Sequence, residues 1–296
     1  RRAAGPRRPR PHPRLPLSPL TLAHRPRLWV WRIAVAVGTA LFLALVGLPL
    51  VALVVRVPPG DLIRRAASPL VLQAFKLSLF TSLTATLLVA AFGLPVAYIL
   101  ATRNFPGRRV LETLVELPMV IPPTVAGVGL LLAFGRAGLA GGVLSALGLQ
   151  IPFTTLAVVI AEAFVAMPFF VSTTAAGLRE VEPRYREAAV TLGATPPYTF
   201  RRVLLPLAFP SLMAGGAMTW ARALGEFGAT ITFAGNLPGR TETLPLAVYI
   251  ALQSDLPAAV ALSVILLIFS FALLLTLRSF STGWHGTRIY AHASRR

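Results

Sequence analysis

Long apolar stretches alternate along the chain with short polar ones rich in arginine, proline and glycine. A helix needs about 20 apolar residues to cross the hydrocarbon core of a bilayer. Six stretches approach or exceed that length: residues 33–55, 77–100, 119–134, 154–176, from 204 to beyond 220, and 258–277. In hydrocarbon, backbone groups must be satisfied within the segment, so spans of this kind are helices. The pattern predicts an all-α polytopic membrane protein with about six transmembrane helices.

Some of these spans are interrupted. Pro95 falls in the second, and Glu162 and Pro168 in the fourth. The third opens with Pro118, Pro122 and Pro123, which remove backbone hydrogen bonds. Such losses are tolerated only where the backbone is buried or lines a cavity. Two readings stand: an interfacial turn that positions the span, or a broken helix beside a translocation path through Pro122, Pro123 and Thr124. Residues 204–235 are too many for one straight helix, and Gly225, Gly228 and Gly235 mark its break or exit. Gly215 and Gly216 are expected to allow close helix packing.

Composition agrees with this class. The chain is 55% hydrophobic and 13% charged, with a mean hydropathy of +0.73. The net charge of +18 matters through its distribution. Lys76 is the single lysine, and every other basic residue is arginine. With the N-terminus inside, 21 basic residues fall on the cytoplasmic side and six outside. That bias predicts both termini in the cytoplasm and a multi-pass protein of the cell (inner) membrane. It also explains the basic pI without nucleic acid. Arg64 and Arg65 are the misfit outside, partly offset by Asp61.

Residues 1–28 hold eight arginines and seven prolines, a composition that cannot bury a core. They are expected to be a disordered basic cytoplasmic tail. Residues 29–56 are read as a signal anchor, because the apolar run is too long for a signal peptide and Arg56-Val57-Pro58-Pro59 follows it. Residues 279–296 are expected to be a second cytoplasmic tail. There is no cysteine, which excludes disulfides, iron–sulfur clusters and thiolate metal sites. The four histidines lie in the tails, so no metal site and no catalytic residue is expected.

The loop at 178–203, between the fourth and fifth spans, has structure of its own. Pro183 suits a first helical turn and Gly193 the residue past a helix end, which predicts a helix of about ten residues. Tyr185, Ala188, Ala189 and Leu192 recur at helical spacing as one apolar stripe. A helix this short is marginal alone in water. Its stripe packs either on its own membrane domain and the lipid interface, or in a groove on a partner protein. Thr195-Pro196-Pro197 starts a second short helix leading into the fifth span.

These residues resemble the cytoplasmic motif of permease subunits of binding-protein-dependent (MetI-like) ABC importers. The motif runs Glu-Ala-Ala, three residues, Gly, nine residues, an aliphatic residue, any residue, then Leu-Pro. Here it is Glu187, Ala188, Ala189, Gly193, Val203, Leu205 and Pro206, with every spacing matched. The resemblance implies a type I importer permease fold whose helix docks into a separate ATPase. The two alanines would allow close approach, and Glu187 would pair with a partner cation or cap a helix. The chain carries no phosphate-binding loop, since such a loop needs Gly-Lys-Ser/Thr and Lys76 follows Phe75. ATP and Mg would therefore be bound by the partner ATPase, with no cofactor in this chain and no enzymatic activity of its own.

Two further runs narrow the resemblance. Glu116-Leu117-Pro118 through Gly127, and Arg222 through Thr230 continuing to Pro238-Gly239-Arg240-Thr241-Glu242-Thr243-Leu244-Pro245, are similar to the molybdate/tungstate permease subfamily. The likeness covers about residues 70–278, expected as the permease domain. It implies a homodimer with a central pathway that works by alternating access, two cytoplasmic ATPase subunits and an extracytoplasmic oxyanion-binding protein. Sulfate or thiosulfate is the alternative cargo. An ion-coupled secondary transporter, with only Glu162, Arg222 and Glu226 to form a coupling site, and a non-transporting scaffold are further alternatives. Arg222 and Glu226 stand four apart on one helix face. They form a structural ion pair or place Arg222 near the path of a dianion, with Glu226 preventing it from trapping the anion. Glu162 is expected to make a helix–helix hydrogen bond.

Overall fold

The computed structural model describes residues 25–293, with side chains described for 29–276. The expected tail at 1–28 lies outside the described residues except for its last four, which begin the first helix. The chain divides into two units, 1–52 and 53–296. In the first, helix α1 (Arg25–Val55) is a 31-residue apolar rod that outruns its unit by one turn. Its large side chains, from Trp29 to Val55, are exposed, as suits a helix facing lipid.

Among the described residues the second unit is wholly helical. It begins with α2 (Pro59–Ala66), which has proline in its first turn, Asp61 near its start and Arg64 and Arg65 near its end, in keeping with the helix dipole. Those two arginines, the misfit of the charge count, are both paired. Arg64 meets Asp61 at 2.6 Å and Arg65 meets Asp255 at 3.2 Å. The Ala258 N–H, with Arg65 behind it, holds the Asp255 carboxyl below its usual range.

Helix α3 (Pro69–Thr102) is capped by the Ser68 hydroxyl. Next come α4 (Arg108–Val120) and α5 (Pro123–Phe134), bent against each other by 116°. The third span, expected over about 119–134 with a turn or break at its prolines, is bent there: residues 119–120 belong to α4, and α5 starts at Pro123. The cause is local: Pro122 and Pro123 have no N–H to donate, and Ile121 is held in an extended conformation before proline.

A short α6 (Gly141–Ala146) leads to α7 (Thr155–Glu180), capped by Thr154. Then come α8 (Pro183–Thr191), α9 (Pro196–Thr199), one π-helical turn at Phe200–Leu204, and α10 (Leu205–Leu224). The chain ends its described course with α11 (Gly228–Ala234), α12 (Leu244–Ser254) and α13 (Leu256–Ala293). The last of these continues as helix past residue 277, through most of the stretch expected as a tail. Among the described residues, five helices are long and apolar enough to span a membrane, six if α4 and α5 count as one broken span.

Helix α7 is the centre of the unit, with α3 and α10 packed along it. Small residues make this close. A Cβ on Gly93 would sit 3.0 Å from Val171, one on Gly215 3.3 Å from the Phe170 carbonyl, and one on Gly177 would run into the Ser211 side chain. Gly216, expected to share this role, faces open space instead. Beside α7, the α5–α11 crossing packs Ala126, Leu130, Ala229 and Phe233 onto Val158 and Val165.

Polar ties cross the same interfaces. Thr81 donates to Glu162 Oε1 at 2.9 Å, the helix–helix bond expected for Glu162. Trp220 donates to Ser82 at 3.0 Å, and the Leu244 N–H donates to Ser78 at 2.7 Å. Away from water, each such group would otherwise go unsatisfied.

Two glycines on α5 test the packing account. A Cβ on Gly127 would stand 2.8 Å from the Ala229 carbonyl, whereas one on Gly129 meets nothing within 4 Å. Gly127→Ala should therefore lower thermal stability in detergent, by about 1–3 kcal/mol of overpacking. Gly129→Ala should leave it unchanged or slightly raised. Equal melting temperatures for the two variants would refute this packing.

Candidate functional site

The loop at 178–203 folds as a hairpin of two short helices. Pro183 starts α8, and the Ala194 N–H reaches back to the Ala189 carbonyl at 3.0 Å. That closure needs Gly193 in the left-handed region, where it sits at φ +79°. Pro206, two residues into α10, has no N–H and crowds the carbonyl four residues earlier. The chain answers with the π-helical turn just before it, where the Leu205 N–H bonds to Phe200 O. Turns of this type are frequent at functional sites.

The result is an open apolar hollow of about 640 Å³, lined by Tyr185, Ala188, Ala189, Leu192, Tyr198 and Val203. No residue of α8 is buried, and Leu192 is 87% exposed. The predicted stripe is therefore formed but does not pack on its own membrane domain. The Glu187 side chain has no partner among the described residues. Nearby, Arg179 joins the end of α7 to α4 through Glu112 at 2.5 Å and to the end of α3 through the Leu100 carbonyl at 3.1 Å.

Deeper in the unit, the two helix breaks meet. Gly228, which starts α11, lies so close to the start of α5 that a Cβ there would be 2.9 Å from Pro123 and 3.2 Å from the Thr124 nitrogen. Just before it, Arg222 Nη1 stands 2.7 Å from Glu226 Oε2. The other carboxylate oxygen accepts from the Ala229 N–H at 2.9 Å. The Glu226 side chain is 1% exposed and that of Arg222 28%. So Pro123, Thr124, Arg222 and Glu226, far apart in the chain, occupy one neighbourhood, with Pro122 at the turn into it.

Residues 93–289 match the family of binding-protein-dependent transport system inner membrane components. The chain belongs to this family. This permease has relatives with different cargo in their names. It is 41% identical over 240 residues to the molybdenum transport system permease protein ModB of Mycobacterium tuberculosis, covering 81% of this chain and 89% of that one. It is 39% identical over 226 residues to the sulfate transport system permease protein CysT of Salmonella typhimurium, covering 76% and 81%. The ModB match is longer than the stretch 70–278, so the likeness extends beyond the expected permease domain. A crystal structure of a bacterial ABC transporter that imports the acidic polysaccharide alginate matches at TM-score 0.71 and 16% identity, covering 87% of this chain and 96% of that one. That likeness shows the fold, a type I importer permease.

The permease also carries polar residues that the sequence reading passed over. Ser78, Thr81 and Ser82 form a buried polar face on an otherwise apolar α3. Their three- and four-residue spacing is the signal that could have found them. Thr241, Glu242 and Thr243 fold inward from the loop after α11 and are buried. Burial raises the Glu242 carboxyl above its usual range. These residues lay within a run quoted for family likeness, where no spacing argument marked them as buried.

Removing the hydroxyl that serves Glu162 should be costly. Thr81→Val leaves Oε1 without its buried donor, a loss of about 1–3 kcal/mol. Thr84, whose exposed hydroxyl bonds only its own helix at Phe80 O, is the control. A Thr81→Val melting temperature no lower than that of Thr84→Val would show that the tie carries no stability.

Proposed function

We propose that this permease is the membrane-spanning subunit of an ATP-driven oxyanion importer, with molybdate or tungstate as cargo. It works as a homodimer with two separate cytoplasmic ATPase subunits and an extracytoplasmic oxyanion-binding protein. The observation that carries the coupling is the exposed hollow around α8. A formed apolar groove with no cover among the described residues, on residues that match the family's Glu-Ala-Ala motif, is the feature a partner would fill. The small Ala188 and Ala189 keep its floor shallow. ATP binding and hydrolysis in the partner would then drive alternating access.

Cargo chemistry is supported separately. The relatives named for molybdenum and for sulfate transport both point to a tetrahedral oxyanion, and the ModB likeness is slightly higher and longer. Arg222 is a cation near the end of a span, beside both helix breaks. Positive charge there lowers the barrier to a dianion. Sulfate or thiosulfate is the second reading, on the strength of the CysT likeness.

Two experiments test this. Vesicles holding the permease, its ATPase and its binding protein should take up radiolabelled molybdate only with ATP, and in preference to sulfate. Preference for sulfate would move the cargo, and uptake without ATP would favour an ion-coupled transporter. Leu192→Glu should abolish copurification of the ATPase. As an exposed change it should alter stability by no more than about 0.5 kcal/mol. Undiminished copurification would place the docking surface elsewhere.

A further inference from the structure

Glu226 is bound in the way a cargo anion would be. One carboxylate oxygen accepts the Ala229 N–H at 2.9 Å, and the other lies 2.7 Å from the Arg222 guanidinium. Guanidinium and backbone N–H groups are the donors that proteins offer to oxyanions. The second contact is close but off-line: Oε2 accepts no well-directed hydrogen bond. It is held by charge, without the fork geometry that makes a guanidinium–carboxylate pair hard to exchange.

The surroundings add donor capacity. Thr230, next after Ala229, is fully buried and its hydroxyl has no partner among the described residues. The Arg222 side chain is 28% exposed, so an anion can approach the guanidinium and compete with the carboxylate. The cradle sits where α5 and α11 start against each other, at the Pro123–Gly228 contact. It is therefore built from the two interruptions of the membrane helices.

We propose that Glu226 is a tethered stand-in for the cargo, and that the passing oxyanion displaces its carboxylate from Arg222. The inference rests on the oxyanion reading above and adds a role for this acid. The built-in carboxylate keeps the cradle filled when cargo is absent, which denies it to other anions. By competing for Arg222 it also keeps the oxyanion's stay short. Two anions cannot share one guanidinium at membrane depth without a large repulsion, so occupancy alternates.

Glu226→Gln tests this, because it keeps an acceptor for the Ala229 N–H and removes only the competing charge. The assembled complex of permease and ATPase, without binding protein, is placed in nanodiscs and dialysed against radiolabelled molybdate. The variant should retain molybdate roughly tenfold more tightly than the wild type, the effect of about 1.4 kcal/mol of lost competition. Adding Arg222→Gln should remove the gain. An assembled Glu226→Gln complex with wild-type retention overturns the inference. So does failure of this near-isosteric variant to assemble, which would make the pair a structural tie only. Wild-type vesicles run in parallel separate the two ideas. ATP-driven uptake with no gain in the variant removes only the stand-in role, whereas no uptake of either oxyanion removes the importer reading and this inference with it.

Discussion

Hydrocarbon offers a backbone amide nothing to bond to, so every interruption of a helix in this domain must lean on protein. The chain has two such interruptions deep in its packed unit, at 121–122 and at 225–227, and they lean on each other. Gly228 permits the approach, since any side chain there would collide with Pro123. Around this contact Glu226 ties the start of α11 and Arg222 ties Glu226. Without the mutual support, two sets of free amides would face lipid.

The same kind of close packing holds the rest of the unit. Helix α7 is held on both sides by close glycine contacts and by the Thr81–Glu162 bond, so it behaves as a fixed post. One continuous path of chain runs from the exposed hollow at α8 through the π-helical turn and along α10 to Arg222. A helix of that length covers about 30 Å.

Much of this was legible in the sequence. Span positions followed from apolar length, because lipid imposes a length on any helix that crosses it. Helix α8 followed from Pro183 and Gly193, whose backbone preferences act locally, and it was found one residue shorter than expected. The prolines of the third span mark a turn or break in the sequence, but not its angle of 116°, which the packing around it sets. The polar face of α3 escaped notice because serine and threonine look unremarkable until their neighbours are known. Gly215 and Gly216 are equivalent in the sequence, and only the packing separates them.

By itself the sequence determined the class, the approximate spans, the short helix α8 with its apolar stripe, and the spacing of Arg222 and Glu226. Each of these depends on composition or on spacing within one helix, where geometry is set by neighbours in the chain. Tertiary structure alone decided that Pro123 meets Gly228, that Glu162 bonds Thr81, and that the α8 stripe remains uncovered. These depend on residues about 80 to 105 positions apart, or on the absence of any neighbour. No local preference encodes such contacts; they follow from how the helices pack to satisfy one another in lipid.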